Sequence, residues 1–413
     1  MNPIVIFVAR ALVAGVLCID GIVAVAQTLS SSQPVSLAQA VEAAWLRTAE
    51  SVEADGQLLR ARADRIVATA LWAAPPSLEL AHRNDRLLAD SGARETDVAV
   101  AVPLWLPGQR GARIDAARAG DEAALAAREA ARLRITGHVR EAVWNVALLR
   151  AEVSLAQAQT EALEALAADV DRRVAAGDLA RADALAARSD AIASKTTLTR
   201  ALTRLQVSLT RWLALTGLTD VPMADRPVER SSHQPLLEDH PLLRAARRNV
   251  ELARKRLDAV LQSRRSAPEL LVRLRTEVSS RAQSTQNSIG LGLRIPLATD
   301  DRNAPIVAAA SADLDLTVAT EQRLARQLQA DIEVSRAETD AAESQIADQQ
   351  TRAQLLRERA TLMDRAFRAG EASLPEMLRV LSAVGQANAA LERQRADAGL
   401  ANARLQQALG VQP

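Results

Sequence analysis

Residues able to do covalent or metal chemistry are thinly spread through this chain. The four histidines, His82, His138, His233 and His240, stand far apart with no cysteine or second ligand at metal-binding spacing, so each reads as a solvated or packing side chain. Cys18 is the sole cysteine, and no Ser-His-Asp or Cys-His set presents itself. Gly290-Leu291-Gly292 lacks the third glycine of a dinucleotide loop, and Pro107-Gly108-Gln109-Arg110-Gly111 has no Lys-Ser/Thr pair to hold phosphate. These residues predict no enzyme, no metal site and no cofactor. The basic run Arg254-Lys255-Arg256, with Arg247 and Arg248 upstream, has no interleaved aromatics and is balanced by acids. It reads as a solvated stripe, and nucleic acid is not an expected partner.

What recurs instead is a pair of turns suited to non-covalent docking. Gly177-Asp178-Leu179 and Gly370-Glu371-Ala372 each interrupt a long helical stretch, and each is followed at the same spacing by an acid and a leucine: Asp183 and Leu185, Glu376 and Leu378. Glycine takes the left-handed conformation such a hairpin needs, and the acid sits near the next helix's N-terminus. A turn at the far end of a very long helix is exposed and placed to meet a partner.

The elements that carry these turns come in two copies. Displaced by 193 residues the sequence lands on itself: Pro75 meets Pro268, Pro103 meets Pro296, Gly177 meets Gly370 and Gly217 meets Gly410. This predicts two similar halves in one architecture, residues 27–217 and 241–413, joined by a proline-punctuated segment at 218–240. In each half a helix (37–73, opened by a Ser36/Gln39 capping box, or 241–266) runs into proline, and the period then changes from helix to strand. Val98, Val100, Val102 and Leu104 alternate with Ala99, Ala101 and Pro103, and Ile289, Leu291, Leu293, Ile295 and Leu297 with the small or polar Gly290, Gly292, Arg294 and Pro296. The stretch 289–297 suits a membrane-spanning strand of about 9–11 residues, with Pro103 and Pro296 marking strand ends. A proline-free stretch at 113–175 then predicts a helix about 95 Å long, repeated at 306–369. Shorter helices at 180–215 and 374–409 close at Gly217 and Gly410.

Composition narrows the class. Arg10, the uncharged run 11–19 and Ala24-Val25-Ala26 have the form of a secretory signal peptide over residues 1–26. Charged residues are 24% of the chain and nearly balanced, 51 basic against 50 acidic, so no whole-chain field attracts polyanions. Aromatics are only 2%, which suits closely packed alanine-rich helices better than a large globular core. Of the tryptophans, Trp72 and Trp105 bracket the first strand pair, whereas Trp45, Trp144 and Trp212 read as packing residues.

Taken in order, these elements resemble the outer membrane factor (TolC-like) efflux family of Gram-negative bacteria. The sharpest local matches are Val102-Pro103-Leu104-Trp105-Leu106-Pro107-Gly108-Gln109-Arg110 with Ile295-Pro296-Leu297, and Arg365-Ala366-Phe367-Arg368-Ala369-Gly370-Glu371. The first is most similar to the heavy-metal CzcC-like branch. The resemblance implies a mainly α fold with a small β part: duplicated long-helix hairpins forming a trimeric α-helical periplasmic tunnel, joined to a shared twelve-stranded transmembrane β-barrel with four strands per chain. It implies a passive outer-membrane channel in a tripartite efflux system, with a periplasmic adaptor (membrane fusion) protein and an inner-membrane pump of the RND type as partners, outer-membrane lipid around it, and heavy-metal cations as cargo. Carried over residue by residue, Gly177, Asp183, Leu185, Gly370, Glu376 and Leu378 would form the adaptor-docking tips, and Glu376 with Arg379 the periplasmic gate. Arg379 stands where several relatives carry an acid, so a Glu376–Arg379 contact stands beside a ring of acids as a gate. The second strand pair departs from the pattern in having no aromatic residue. The alternatives are an exported periplasmic coiled-coil scaffold or adaptor, and drugs or type I secreted polypeptides as cargo.

Overall fold

The computed structural model describes residues 35–87, 91–223, 237–297 and 299–413. The predicted signal peptide, Cys18, His233 and most of the connecting segment lie outside them. From the N-terminal side the elements are α1 (Leu37–Trp45), α2 (Ala49–Thr69), β1 (Ser77–Asn84), β2 (Arg94–Pro103), α3 (Gln109–Ala176) and α4 (Arg181–Thr216). After a single 3-10 turn (Leu237–Asp239) come α5 (Pro241–Gln262), β3 (Glu269–Val278), β4 (Gln286–Arg294), α6 (Asp300–Arg368) and α7 (Leu374–Ala408). At 68 and 69 residues, α3 and α6 are each about 100 Å long. Among the described residues no helix is long and apolar enough to cross a membrane.

The four strands make one antiparallel sheet in the order β1-β2-β3-β4. Its register sorts the side chains cleanly. Leu80 faces Val98, Val98 faces Leu274 and Leu274 faces Ile289; one row along, Leu78, Val100, Val272 and Leu291 align in the same way. Because side chains alternate along a strand, all of these lie on one face, and all but the half-buried Val98 are exposed: 71% for Leu78 and 77% for Leu291. The opposite face holds Glu79, Glu95, Asp97, Ala99, Ala101, Arg273, Arg275, Gly290 and Gly292. There Arg275 pairs with Glu95 (2.6 Å) and Asp97 (2.9 Å), and Arg294 with Glu269 (2.9 Å). The sheet is apolar on one face and carries paired charges on the other, and among the described residues the outer borders of β1 and β4 are unpaired.

Alanine sets the helix packing. On α3, Ala119, Ala123, Ala126 and Ala130 are buried at steps of three and four, letting α2 and α5 approach closely: Leu58 and Ala61 of α2 meet Ala124, and Ala245 of α5 meets Ala126 and Ala130. Further from the sheet α3 packs against α4 and α7, and α7 against α6. Where the two regimes meet, Ala40, Val41, Ala44 and Trp45 of α1 close on Ile135, Val139 and Val143 of α3 and on Trp212 of α4. At the same level Arg140, 4% exposed, donates to Gln407 Oε1 (3.1 Å) and to the Val411 carbonyl (3.0 Å), and burial lowers its pKa to about 10. His240, equally buried, caps α5 by accepting from the Leu242 amide (3.2 Å), and burial holds its pKa below the ordinary range.

The structure corrects several boundaries. The helix expected over 37–73 is broken at 46–48: Thr48 takes an extended conformation and donates its hydroxyl to the Trp45 carbonyl (3.1 Å), so α1 can turn into the core while α2 runs along α3. Strand β4 lies three residues earlier than 289–297. Gln286, Asn287 and Ser288 pair with Glu277, Thr276 and Arg275, whereas Pro296 has no amide to donate and falls two residues past the strand. Pro103, by contrast, is the last residue of β2. Helix α6 begins at Asp300 and carries Pro305 inside it, at the loss of one backbone hydrogen bond. Of the tryptophans read as packing residues, Trp45 and Trp212 are core, and the half-buried Trp144 lies against Gly399, where a Cβ would come within 2.1 Å of the ring.

Trp212 tests the central cluster. It is fully buried and its indole donates to the Asp220 carbonyl (3.2 Å). Trp212→Ala should cost about 3–5 kcal/mol, against about 1 kcal/mol for Trp212→Phe, which mainly loses that bond. Denaturant unfolding of the full chain measures the difference, and equal losses would contradict the packing role.

Candidate functional site at the helical tips

Both tips are built the same way. Gly177 (φ 90°) and Gly370 (φ 79°) are left-handed, and the amide after each glycine reaches back five residues, Asp178 to the Arg173 carbonyl and Glu371 to the Ala366 carbonyl, both at 2.9 Å. Nothing lies within 4 Å of where a Cβ would stand on either glycine, so it is the positive φ and not crowding that requires glycine.

The acids singled out in the sequence occupy equivalent positions in the first turn of the returning helices. Asp183 accepts from the Ala180 amide (3.2 Å); Glu376 accepts from the Ser373 amide (3.0 Å) and the Ser373 hydroxyl (2.8 Å). Those Ser373 bonds, amide first, hold the Glu376 carboxyl below its ordinary range, and the charge of Arg379 contributes less. Arg379 itself is exposed and donates to the Pro375 carbonyl (3.2 Å). In one chain, therefore, Glu376 is engaged by its own cap and Arg379 by the backbone one turn earlier. Leu185 is exposed, whereas Leu378 is half-buried against the tip core.

That tip core joins the two hairpins: Ala167 and Val170 of α3 and Ala184 and Ala187 of α4 pack with Phe367 of α6 and Leu374 and Met377 of α7. Arg173 fastens the junction. Its guanidinium lies 4.8 Å from the centre of the Phe367 ring, donates to the Phe367 carbonyl (3.2 Å) and pairs with Asp169 (3.1 Å). Arg173 was not marked by sequence reasoning. The available signal was Phe367, one of only two phenylalanines, standing as far before Gly370 as Val174 stands before Gly177.

The other expected landmarks are elsewhere. Trp72 and Trp105 flank the first strand pair in sequence but lie at the same end of the sheet, where the Trp105 indole donates to the Ala70 carbonyl (3.1 Å). His82 pairs across strands with Thr96 (2.9 Å), and His138 is exposed beside Trp144. Among the described residues no group of three His, Cys, Asp or Glu is placed to hold a metal ion. Arg254 and Lys255 both pair with Glu251 (3.3 and 3.8 Å).

A four-stranded sheet carried on long paired helical hairpins defines a tunnel-forming outer-membrane channel fold. The chain is similar to VceC of Vibrio cholerae (19% identity, 91% of this chain and 96% of that one, TM-score 0.72), to CmeC of Campylobacter jejuni (13%, 91% and 85%, 0.72) and to the open state of MtrE of Neisseria gonorrhoeae (16%, 91% and 88%, 0.73). Residues 54–218 match the family model described as outer membrane efflux protein. That segment is similar to outer membrane efflux proteins, and the fold around it is the one these channels share. No curated protein matches the chain by sequence.

The caps give a pH test. Because the Glu376 carboxyl is depressed in the folded chain, its contribution is present above the unfolded value of 4.5 and is lost as pH falls through the lower folded value. The protection of the Ser373 amide, measured against the intrinsic exchange rate at each pH, should therefore fall as the medium is acidified through the folded value, and Glu376→Gln should flatten the dependence. A protection factor unchanged by acid in the unaltered chain would contradict the capping role.

Proposed function

We propose that this protein is the outer-membrane duct of a tripartite efflux system, working as a homotrimer whose three sheets close one twelve-stranded barrel and whose hairpins form a tunnel through the periplasm. In this reading it conducts passively, the energy coming from an inner-membrane pump of the RND type, and an adaptor protein meets the tips at Gly177, Gly370, Asp183, Glu376 and the exposed Leu185. Leu378 supports that surface from within, and Arg379 lines the gate beside Glu376. Residues 1–26 are taken as a signal peptide, 27–217 and 241–413 as the two repeats, and 218–240 as the link between them.

One observation carries the reading. The chain is a slab with two unfinished borders: α2 and α4 follow one another along one side of α3 below β1, α5 and α7 lie along its other side, and α6 packs beyond them below β4. In hydrocarbon the free edges of β1 and β4 would leave backbone groups unsatisfied, so the apolar face can enter a bilayer only if copies of the chain complete the ladder. The helical borders agree. Val52, Leu59 and Ile66 on α2, Leu185 and Ile192 on α4, and Leu355 and Leu362 on α6 are exposed and spaced seven apart. Measured from the two tip glycines, Ile192 and Leu355 stand fifteen residues back along their helices, at the same height of about 22 Å. One copy's α4 would thus seat Ile192 against Leu355 on α6 of the next.

The barrel interior is lined by paired charges of both signs and small residues, which suits a wall that passes many solutes. Heavy-metal cations remain the proposed cargo, on the resemblance around Pro103; loss of metal tolerance in a deletion strain tests this, and loss of drug tolerance alone would favour the other cargo.

A cysteine pair tests the assembly. Ile192→Cys with Leu355→Cys should give, on mild oxidation of detergent-extracted protein, a ladder ending at three chains, with neither single substitution doing so. Bilayer conductance from the same preparation completes the test. A chain that stays monomeric and water-soluble would instead indicate the periplasmic scaffold.

A further inference from the structure

The helix-joined end of the sheet carries a group of cations that the channel reading leaves unused. Arg110 donates to the Thr69 carbonyl at the end of α2 (2.8 Å), and Arg113 lies 5.4 Å from the centre of the Trp105 ring. The segment before β3 is tied alongside: the Leu104 amide donates to the Pro268 carbonyl (2.7 Å) and Gln109 to the Ser263 hydroxyl (3.2 Å). That segment presents Arg264 and Arg265. All four arginines are exposed, and among the described residues none of them has a carboxylate within 4.0 Å. At the same end Arg294 is paired with Glu269, and Asp300 and Asp301 occupy the first turn of α6 beyond β4.

The internal repeat gives these residues a context. Displaced by 193 positions, Leu71-Trp72 of the first half falls on Arg264-Arg265 of the second. Leu71 and Trp72 are exposed just below the apolar face of the sheet, where a membrane barrel places its interfacial aromatics. The second half, which has no aromatic there, offers two guanidinium groups at the corresponding position. Tryptophan anchors at headgroup level through its amphipathic ring, whereas arginine does so by bidentate bonding to phosphate.

We propose that Trp72, Trp105, Arg110, Arg113, Arg264 and Arg265 form a collar that binds the phosphate headgroups of anionic phospholipid in the periplasmic leaflet. The collar rests on the barrel reading above, because only insertion brings it to headgroup level. The apolar ring surfaces settle among the upper acyl chains, and the guanidinium groups, which face no carboxylate, take the phosphates. Three chains would repeat the collar around the barrel.

The test uses full-length protein reconstituted in vesicles made of equal parts phosphatidylglycerol and phosphatidylcholine, re-extracted in detergent, with retained lipid identified by mass spectrometry. Phosphatidylglycerol should be enriched over phosphatidylcholine on the unaltered protein, and the enrichment should fall about fivefold for each arginine removed in Arg264→Gln with Arg265→Gln. The corresponding pair of lysine substitutions, which keep the charge but not the bidentate geometry, should keep an intermediate enrichment, and added inorganic phosphate should not displace the lipid. Protein that inserts and conducts but retains both lipids equally would overturn the collar alone. Displacement by inorganic phosphate would also overturn it, indicating a free-anion site. Failure to insert would remove the barrel reading and the collar with it. If the glutamine pair does not assemble, lipid selectivity of the unaltered protein and of the lysine pair decides the matter.

Discussion

Backbone hydrogen bonding in hydrocarbon is the constraint from which the rest of this structure follows. A strand edge in water can be left to solvent, but an edge facing lipid has no partner unless another strand supplies one. Strands β1 and β4 present such edges at opposite sides of a sheet whose outer face is a continuous apolar band. The sheet is therefore incomplete in the one solvent that its side chains suit. The same incompleteness extends down the helices, where exposed apolar residues seven apart line both borders.

In the proposed assembly the helices would extend that closure into a long, thin-walled tube. Alanine at the contacts of α3 allows helices to lie close without bulky side chains, and the few large residues are concentrated where geometry changes. Trp45 and Trp212 fill the level at which α2 and α5 give way to α4 and α7, and Phe367 fills the tip, where Arg173 stitches one hairpin to the other. Surface ion pairs between helices are numerous but each contributes little. Rigidity comes from the packed clusters and from the glycine turns that end each hairpin, and a partner docking at those turns would act directly on the Arg173–Phe367 junction.

Much of this could be read from residue types alone. The tip glycines, the acids that follow them and the alternation in the strands report on local backbone geometry, and local geometry is what single residues encode most directly. The break at 46–48 could not be read, because nothing at Leu46-Arg47-Thr48 forbids a helix; the burial of Trp45 against distant α3 and α4 decides it. The start of β4 was hidden for a related reason, since Gln286, Asn287 and Ser288 join the ladder through the strand that faces them and not through their own hydropathy. Trp72 and Trp105 flank a hairpin in sequence, yet a hairpin brings its two flanks to one end. At the tip, Arg173 looked like any basic residue in a helix's last turn until Phe367 was placed beside it.

The mass of the particle extracted from the outer membrane in mild detergent tests the central claim most directly. Closure between copies predicts particles of three chains, their β1 and β4 edge amides as protected from exchange as those of β2 and β3. Single-chain particles with freely exchanging edges would contradict it.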